Sequence, residues 1–243
     1  EGLLNLISKE ELKGKTFLDI GSGSGLHSLA ALRNGIAEAV CVDFDPNSVS
    51  TTQSVLDAHS PQKNYTVFRQ NILEAPDNPK LKDQTFDIVY SWGVLHHTGA
   101  MWDAIDNASK FAKPGGIFAI ALYKKTPMCG FWKAEKRLYS SLPKWARFPF
   151  DYAYAAAFCL AKLVLRQNPI KYIRDYHEQR GMRFMTDVRD WLGGYPYESA
   201  TPEETKDFMK ARGFEFISGI NTDPQKGAGL FGSGCAEYVF QKN

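Results

Sequence analysis

The chain has 243 residues, of which 44% are hydrophobic, and a formal net charge of +2 at pH 7. This length supports one substantial domain with an appended piece, and the hydrophobic content suffices for a packed core. Its four cysteines are widely spaced and form no Cys-x-x-Cys pair, which argues against a zinc knuckle or a redox motif. A reducing, cytoplasmic location is the simple expectation, and the first residues show no secretory signal pattern.

A glycine-rich turn lies between the first predicted strand and the first predicted helix. Residues 17–20 form an apolar run typical of a buried parallel strand, and residues 26–34 are a helix candidate. The segment Gly21-Ser22-Gly23-Ser24-Gly25 between them has little side-chain bulk, so a ligand can approach its backbone closely. The first N–H groups of the helix lack intrahelical partners and face this turn.

The next predicted strand, residues 40–43, ends in Asp43. A carboxylate at that point can accept two hydrogen bonds from the vicinal hydroxyls of a ribose, which predicts a nucleoside ligand. The dinucleotide fingerprint Gly-x-Gly-x-x-Gly is not matched, because the third glycine, Gly25, comes one place early.

Asp19 precedes Gly21 by two positions, which gives the pattern Asp-x-Gly-x-Gly-x-Gly. This pattern resembles motif I of class I S-adenosylmethionine (SAM) methyltransferases. Later segments resemble the same family in the same order: a strand at 65–68, a strand at 86–92 followed by Gly93-Val94-Leu95-His96-His97-Thr98, the turn Lys113-Pro114-Gly115-Gly116 and a strand at 117–122. The resemblance covers residues 12–123 and 203–240.

The resemblance implies an enzyme that binds SAM and releases S-adenosylhomocysteine. In the family, a short polar residue after the third strand meets the adenine amino group and an apolar neighbour lies against the ring; Asn71 and Ile72 match these positions. The full set of cofactor-binding residues that it implies is Asp19, Gly21, Ser22, Gly23, Gly25, His27, Asp43, Phe44, Asn71, Ile72, Ser91 and Trp92.

The order of elements predicts an α/β fold, a doubly wound, mostly parallel seven-stranded sheet of Rossmann-like type. Residues 1–123 and 202–243 would form the SAM-binding core, and residues 124–201 a helical cap inserted after the fifth strand. Thr201, Pro202 and Glu204 form a helix start. Residues 214–220 and 236–241 are the last two strands, which in the family form an antiparallel hairpin at the sheet edge.

The insertion is strongly basic. It carries fourteen Lys and Arg and seven Asp and Glu, a net charge of +7, whereas the rest of the chain carries −5. This asymmetry suggests an anionic acceptor or partner. Within it, residues 152–165 form an apolar helix candidate too short to span a bilayer. It can be a core or lid helix, a membrane-surface helix or, with the neighbouring aromatic residues, part of a nucleic-acid surface; the first is favoured.

Residues 185–198 are dense in polar groups, and Gly193, Gly194 and Pro196 favour a non-helical path. Tyr195, Tyr197 and Glu198 are candidates for substrate binding. The alternative is a tight loop whose tyrosines fill a domain junction.

His96 and His97 follow the fourth strand, where the family places residues beside the transferred methyl group. Histidine has an ordinary pKa of about 6.5, suited to a general base. We predict His97 as the base, with His96 nearer the cofactor; the alternative is that either histidine only bonds backbone at the strand end. No metal is predicted, because Gly93 and His96 stand where carboxylates would help to bind one.

Three function classes remain open. The favoured one is methyl transfer to a small-molecule acceptor, most often a hydroxyl of a metabolite, sugar or lipid-linked intermediate. The second is RNA ribose or protein methylation. Nucleic acid is the less expected acceptor, because the Asn/Asp-Pro-Pro-Tyr/Phe motif of amine methylation is replaced by Ser91-Trp92-Gly93-Val94. The third is a non-catalytic SAM-binding module.

Overall fold

A computed structural model describes residues 2–180, 183–223 and 234–243 of the chain. The chain divides into two compact units: the first runs to Pro127 and resumes at Glu198, and the second comprises Met128–Tyr197. Lys124 and Ala200 pair in an isolated parallel bridge, and the Lys125 N–H donates to the Ala200 carbonyl at 2.9 Å. Both ends of the predicted 124–201 insertion therefore lie in the first unit.

The first unit is built on a seven-stranded sheet with the order β3-β2-β1-β4-β5-β7-β6. Strands β1 to β5 are parallel, and β7 runs antiparallel to both β5 and β6. The predicted doubly wound, mostly parallel sheet and its antiparallel edge hairpin are confirmed. The strands are β1 Thr16–Ile20, β2 Glu38–Asp43, β3 Tyr65–Arg69, β4 Phe86–Trp92, β5 Ala112–Tyr123, β6 Phe214–Ile220 and β7 Cys235–Lys242.

Helices cover both faces of this sheet and make up the second unit. Those of the first unit are α1 Lys9–Leu12, α2 Leu26–Arg33, α3 Pro46–His59, α4 Met101–Lys110 and α10 Pro202–Lys210; those of the second are α5 Cys129–Ser141, α6 Lys144–Val164, α7 Pro169–Arg174, α8 Tyr176–Arg180 and α9 Phe184–Gly193. Short 3-10 turns occupy Leu3–Asn5, Ile72–Asp77 and Leu95–His97. Among the described residues, no helix is both long and apolar enough to cross a membrane.

The central strands of the sheet are buried on both faces. One face packs against α4 and α10 through residues such as Leu18, Ile105 and Met209. The opposite face packs against α2 and α3, with Phe17 and Leu56 in its core. Phe17 and Leu18 enter opposite layers because successive side chains alternate across a strand. The two layers hold the carboxyl ends of β1, β2 and β4 side by side, at the point where the strand order reverses.

The second unit has its own small aromatic core of Tyr139, Tyr176, Phe184, Val188 and Leu192. Lys136 is fully buried beside it. Its ammonium donates to the Trp191 carbonyl at 2.6 Å and lies 3.4 Å from the centre of the Trp191 ring. Burial lowers the pKa of Lys136 to about 8, and Glu135 opposes this shift.

Two helices differ from the sequence prediction. Helix α6 begins at Lys144, whereas the pattern predicted a helix only from residue 152. The helix continues through Pro149, which has no N–H to donate to the carbonyl of the exposed Trp145. Helix α9 continues to Gly193, so the expected non-helical path begins only after that residue.

A buried hydrogen-bonded chain joins β1, α2 and β2. The Ser28 hydroxyl donates to Asp19 at 2.5 Å, and the Cys41 thiol donates to the Ser28 oxygen at 3.1 Å. Burial raises the pKa of Cys41 to about 12, which keeps its thiol protonated as a donor. Burial also raises the pKa of Asp19 to about 7, against the opposing effect of the Ser28 hydrogen bond.

Replacing Asp19 by Asn should flatten the pH dependence of stability between pH 4 and pH 7. The pKa of Asp19 rises from 3.8 to about 7 on folding, so the folded form keeps a proton that the unfolded form releases. The contribution is full below pH 3.8 and is lost as the pH rises through 7. The loss is on the order of 4 kcal/mol for about three pK units. Urea unfolding of wild type and Asp19→Asn across this range measures the difference.

Asp87→Asn is the matched control. Partial burial opposes the shift, but hydrogen bonds from Thr16 and Lys113 lower the pKa of Asp87 to about 2. Its stabilising effect is therefore lost only as the pH falls below about 4, and the control should keep the wild-type slope between pH 4 and pH 7. An Asp19→Asn protein with the wild-type slope would contradict the assignment.

Candidate active site

The glycine turn packs directly against the loop that follows β4. Gly21, Gly23 and Gly25 all have positive φ, at +78°, +55° and +73°. A Cβ atom on Gly21 would lie 2.3 Å from a methyl carbon of Val94. Any side chain at this position would push the two loops apart, so the absence of one brings the ends of β1 and β4 together.

Gly23 differs from its two neighbours because its side of the turn is open. A Cβ atom there would meet nothing closer than the Gly21 carbonyl, at 3.9 Å. The Gly23 N–H donates to one carboxylate oxygen of Asp43 at 2.9 Å, and the Asp45 N–H donates to the other at 2.9 Å. Each carboxylate oxygen keeps a second lone pair with which to accept a hydroxyl proton.

Thr52 on α3 fixes the turn from behind, and the sequence analysis missed it. Its hydroxyl donates to the Gly23 carbonyl at 3.0 Å and lies 3.1 Å from the hydroxyl of the buried Ser22. A Cβ on Gly25 would approach Thr52 to 3.0 Å. The polar sequence of α3 around Thr52 does not indicate this contact, because the contact depends on how α3 packs against the turn in the tertiary structure.

Large apolar side chains border the open side of the turn. Phe44 is 63% exposed, Leu26 61% and Trp92 41%. The Arg69 guanidinium lies 5.2 Å from the centre of the Phe44 ring, and its Nε donates to the Phe44 carbonyl at 2.9 Å. No side chain among the described residues caps the start of α2, which follows Gly25. An open glycine, an acceptor carboxylate, uncapped helix amides and exposed apolar groups fit the amino acid, ribose and adenine parts of SAM.

Asn71 and Ile72 lie beyond β3. The Asn71 side chain accepts the Leu73 N–H at 3.1 Å and donates to Glu74 at 3.2 Å, while Ile72 is buried in the core. Gln70 is held beside β2, since its N–H donates to the Asp43 carbonyl at 2.8 Å. This bond keeps the segment 70–72 level with the end of β2.

Three further residues of the predicted cofactor set lie on β4 or pack beside it: Ser91, Trp92 and His27. Ser91 is buried, and its hydroxyl donates to the Ile20 carbonyl at 2.9 Å, which ties β4 to β1. The His27 ring packs edge-on against the Tyr90 ring, and the centres of the His27 and Trp92 rings are 6.1 Å apart. Burial lowers the pKa of His27, so this histidine is biased toward the neutral form.

The structure separates the two neighbouring histidines by burial. His96 is fully buried, and neither ring nitrogen makes a hydrogen bond of normal geometry to a described residue. Burial, reinforced by His97, lowers the pKa of His96 well below its usual range, with only the Ala121 backbone opposing. His97 is partly exposed. Both rings contact Tyr123 at the end of β5, with centroids 4.0 Å and 5.3 Å away.

The predicted substrate residues fall in different surroundings. Glu198 lies in the first unit, where its N–H donates to the His96 carbonyl at 3.0 Å and its carboxylate accepts the Met101 N–H at the start of α4 at 3.0 Å. Tyr195 and Tyr197 end the second unit. Tyr195 is 38% exposed, while Tyr197 is buried with its hydroxyl 3.5 Å from the Cys129 sulfur.

A family model described as a methyltransferase domain matches residues 11–186 of the chain. The chain belongs to the SAM-dependent methyltransferase family. The match covers the glycine turn, Asp43, the histidine pair and most of the second unit, so the predicted family is confirmed. Within the described part of this methyltransferase domain, no group of three His, Cys, Asp or Glu side chains is placed to hold a metal ion.

Named relatives share the domain but differ in what they act on. The chain is 35% identical over 106 residues to the tRNA U34 carboxymethyltransferase of Hydrogenovibrio crunogenus, 43% of this chain and 31% of that protein. It is 32% identical over 118 residues to the ribosomal protein L11 methyltransferase of Xanthomonas euvesicatoria, 48% of this chain and 35% of that protein. The chain thus spans about a third of the length of these relatives.

The fold is similar to that of solved methyltransferases. The crystal structure of the magnesium protoporphyrin IX methyltransferase from Synechocystis PCC 6803 with bound S-adenosylhomocysteine superposes with a TM-score of 0.58 at 13% identity, covering 100% of this chain and 80% of that one. At this identity the likeness concerns the fold.

Asp43→Ala should weaken SAM binding by about 1.5–3 kcal/mol, because it removes charged acceptors for two hydroxyl groups. Isothermal titration calorimetry with SAM measures the change. Asp57→Asn is the control, since Asp57 is an exposed carboxylate on α3 that accepts hydrogen bonds from Gln53 and Tyr65. Equal affinity of wild type and Asp43→Ala would exclude the ribose assignment.

Gly23→Val should reduce SAM affinity about tenfold to a hundredfold, because the branched side chain fills the open space in front of the turn. Gly14→Val is the matched control. Gly14 has φ +70° with nothing within 4 Å of a Cβ, so the substitution introduces similar backbone strain outside the site. Circular dichroism and a SAM titration are measured on both variants. Equal loss of binding in both would attribute the effect to strain and not to the turn.

Proposed function

We propose that this methyltransferase domain transfers a methyl group from SAM to a hydroxyl of a small-molecule acceptor, with His97 as general base. The observation that carries the proposal is the contact of Gly21 with Val94, which sets the histidine loop against the cofactor turn. When bound, SAM supplies a methyl group already activated by its sulfonium. The protein has to position the acceptor and take up its proton.

The two histidines have distinct roles in this mechanism. His97 is the one that solvent reaches, so an acceptor hydroxyl can approach its ring and transfer a proton to a ring nitrogen. Burial disfavours the charged form of His96, so this residue remains neutral. Its ring packs against the rings of His97 and Tyr123 and holds them in place.

The second unit, with the segments that join it to the sheet, is proposed to select the acceptor. In open α/β sheets, ligands bind outside the carboxyl ends of the strands, and the insertion leaves the sheet at the end of β5. The +7 charge of residues 124–201 suits an acceptor that bears phosphate or carboxylate. Tyr195 is proposed as an acceptor contact of this unit, whereas the predicted contact by Tyr197 is not proposed, because this side chain is buried beside Cys129. Glu198 is proposed to act by positioning, through its bonds to His96 and α4.

RNA or protein is the second candidate class of acceptor. It is supported by the names of the two relatives, one of which acts on tRNA and the other on a ribosomal protein. Both matches span less than half of this chain. An incubation with deuterium-methyl SAM and separate small-molecule, RNA and protein fractions of a cell extract distinguishes the classes by mass spectrometry. Label in the small-molecule fraction supports the proposal; label only in RNA or protein overturns it.

His97→Ala should lower kcat by about 10²–10⁴-fold on a hydroxyl acceptor, the usual contribution of positioned proton transfer, while SAM affinity changes little. The wild-type rate should rise with pH through an apparent pKa in the histidine range, and the variant should lose that dependence. Stopped assays across pH 5.5–9 would be combined with a SAM titration of both proteins. Near wild-type turnover by His97→Ala would eliminate the base role.

A further inference from the structure

The outer face of α6 is apolar along its whole length. Trp145 is 81% exposed, Leu160 63% and Val164 76%. At helical spacing, these residues form one stripe with the other exposed members of the helix. We call this stripe the α6 face; it comprises Trp145, Phe148, Tyr152, Ala156, Leu160, Leu163 and Val164. The helix has 21 residues, which gives the stripe a length of about 30 Å.

Arg147, Asp151 and Lys162 of α6 lie on its other side and interact within the second unit, whereas Lys144 at the start of the helix is exposed. Arg147 donates to the carbonyls of Ser140 and Leu142 at 2.8 and 2.9 Å. Asp151 is buried, accepting from the Tyr139 hydroxyl at 2.6 Å and from Arg189 at 2.8 Å. Lys162 lies 4.0 Å from the centre of the Tyr172 ring. The helix is therefore apolar on its outer side as well as on the side where Tyr154, Ala155 and Phe158 pack against the core of the second unit. A typical surface helix presents charged groups to water instead.

An exposed apolar patch of this extent marks a site that contacts another protein, a membrane or an apolar ligand. The patch extends beyond the helix, because Leu165 and Ile170 are also exposed. Its surroundings are basic. Residues 144–174 contain six Lys and Arg and one acidic residue, Asp151, which is paired inside the unit. Arg174 is paired with Asp175, whereas Lys144, Arg166 and Lys171 are exposed. A binding partner that covers the α6 face must therefore be apolar where it contacts the stripe and anionic where it faces the basic residues beside the stripe.

We propose that the α6 face lies on the surface of an anionic lipid bilayer. An interfacial helix places Trp, Phe and Leu at the boundary between headgroups and acyl chains, and Lys and Arg nearby attract anionic headgroups. A second copy of the chain suits the face less well. A two-fold contact of stripe on stripe would bring the basic surroundings of both copies together, at a cost in like-charge repulsion.

The experiment is a flotation assay of the full chain with vesicles of phosphatidylcholine, either alone or mixed with phosphatidylglycerol. Wild type should bind the mixed vesicles at least about tenfold more tightly than the neutral ones, because several basic residues contribute near the surface. The double variant Leu160→Gln/Leu163→Gln, which leaves the charge unchanged, should bind mixed vesicles about tenfold more weakly or worse. Ile217→Gln is the matched control, since Ile217 is comparably exposed but lies on β6 of the other unit.

A second variant, Arg166→Gln/Lys171→Gln, tests the charge alone and leaves the stripe intact. It should bind mixed vesicles about tenfold more weakly and neutral vesicles equally well. A SAM titration of every variant confirms that the first unit is folded, and it keeps the outcome separate from the test of methyl transfer. Two results would overturn the proposal: wild type that does not bind mixed vesicles, or a stable dimer that Leu160→Gln/Leu163→Gln converts to monomer without any change in vesicle binding.

Discussion

The close contact of Gly21 with Val94 is the constraint on which the candidate site depends. With φ at +78° and no room for a Cβ, the turn after β1 can lie against the loop after β4 only if residue 21 is glycine. That contact joins the two strands on either side of the point where the strand order reverses. The hydrogen bond from Gly23 to Asp43 adds the end of β2. Three strand ends thus converge on one side of one turn.

Polar residues around this turn divide into those that build it and those that face outward. Asp19 of β1 accepts a hydrogen bond from Ser28 of α2, and Ser91 of β4 donates to the Ile20 carbonyl of β1. Glu198 accepts the Met101 N–H at the start of α4. These bonds hold the elements around the turn in place. Asp43 also bonds backbone, but each of its oxygens retains capacity for a hydroxyl group. The same division separates His96 from His97. A site of this kind is rigid because most of its polar groups are already committed to the fold.

Helix α6 presents a stripe of large apolar side chains to solvent, in addition to those that pack on the core of its own unit. In the first unit, the helices turn their apolar sides to the sheet and bury its central strands on both faces. In the second, α6 directs Arg147 and Asp151 into the unit and Leu160 and Val164 to the outside. The segment 144–174, which contains α6, carries six Lys and Arg against one acidic residue. The chain therefore combines a sheet with the fold of SAM-dependent methyltransferases and a helical unit whose exposed surface suits an anionic, partly apolar neighbour.

The sequence by itself determined the sheet, because its signals are local. Buried strands such as 86–92, the glycine turn and the Thr201-Pro202 helix start depend on neighbouring residues, and the structure has all of them. Burial, partners and pKa values arise instead from residues far apart in the chain. Thr52 behind the turn, Glu198 bonded to α4 and the contrast between His96 and His97 could not be predicted, since each depends on how elements cross. Helix α6 extended through Pro149 for the same reason. Only tertiary packing decides which side of a helix meets the core, and hydrophobic periodicity alone does not say whether an apolar stripe faces inward or outward.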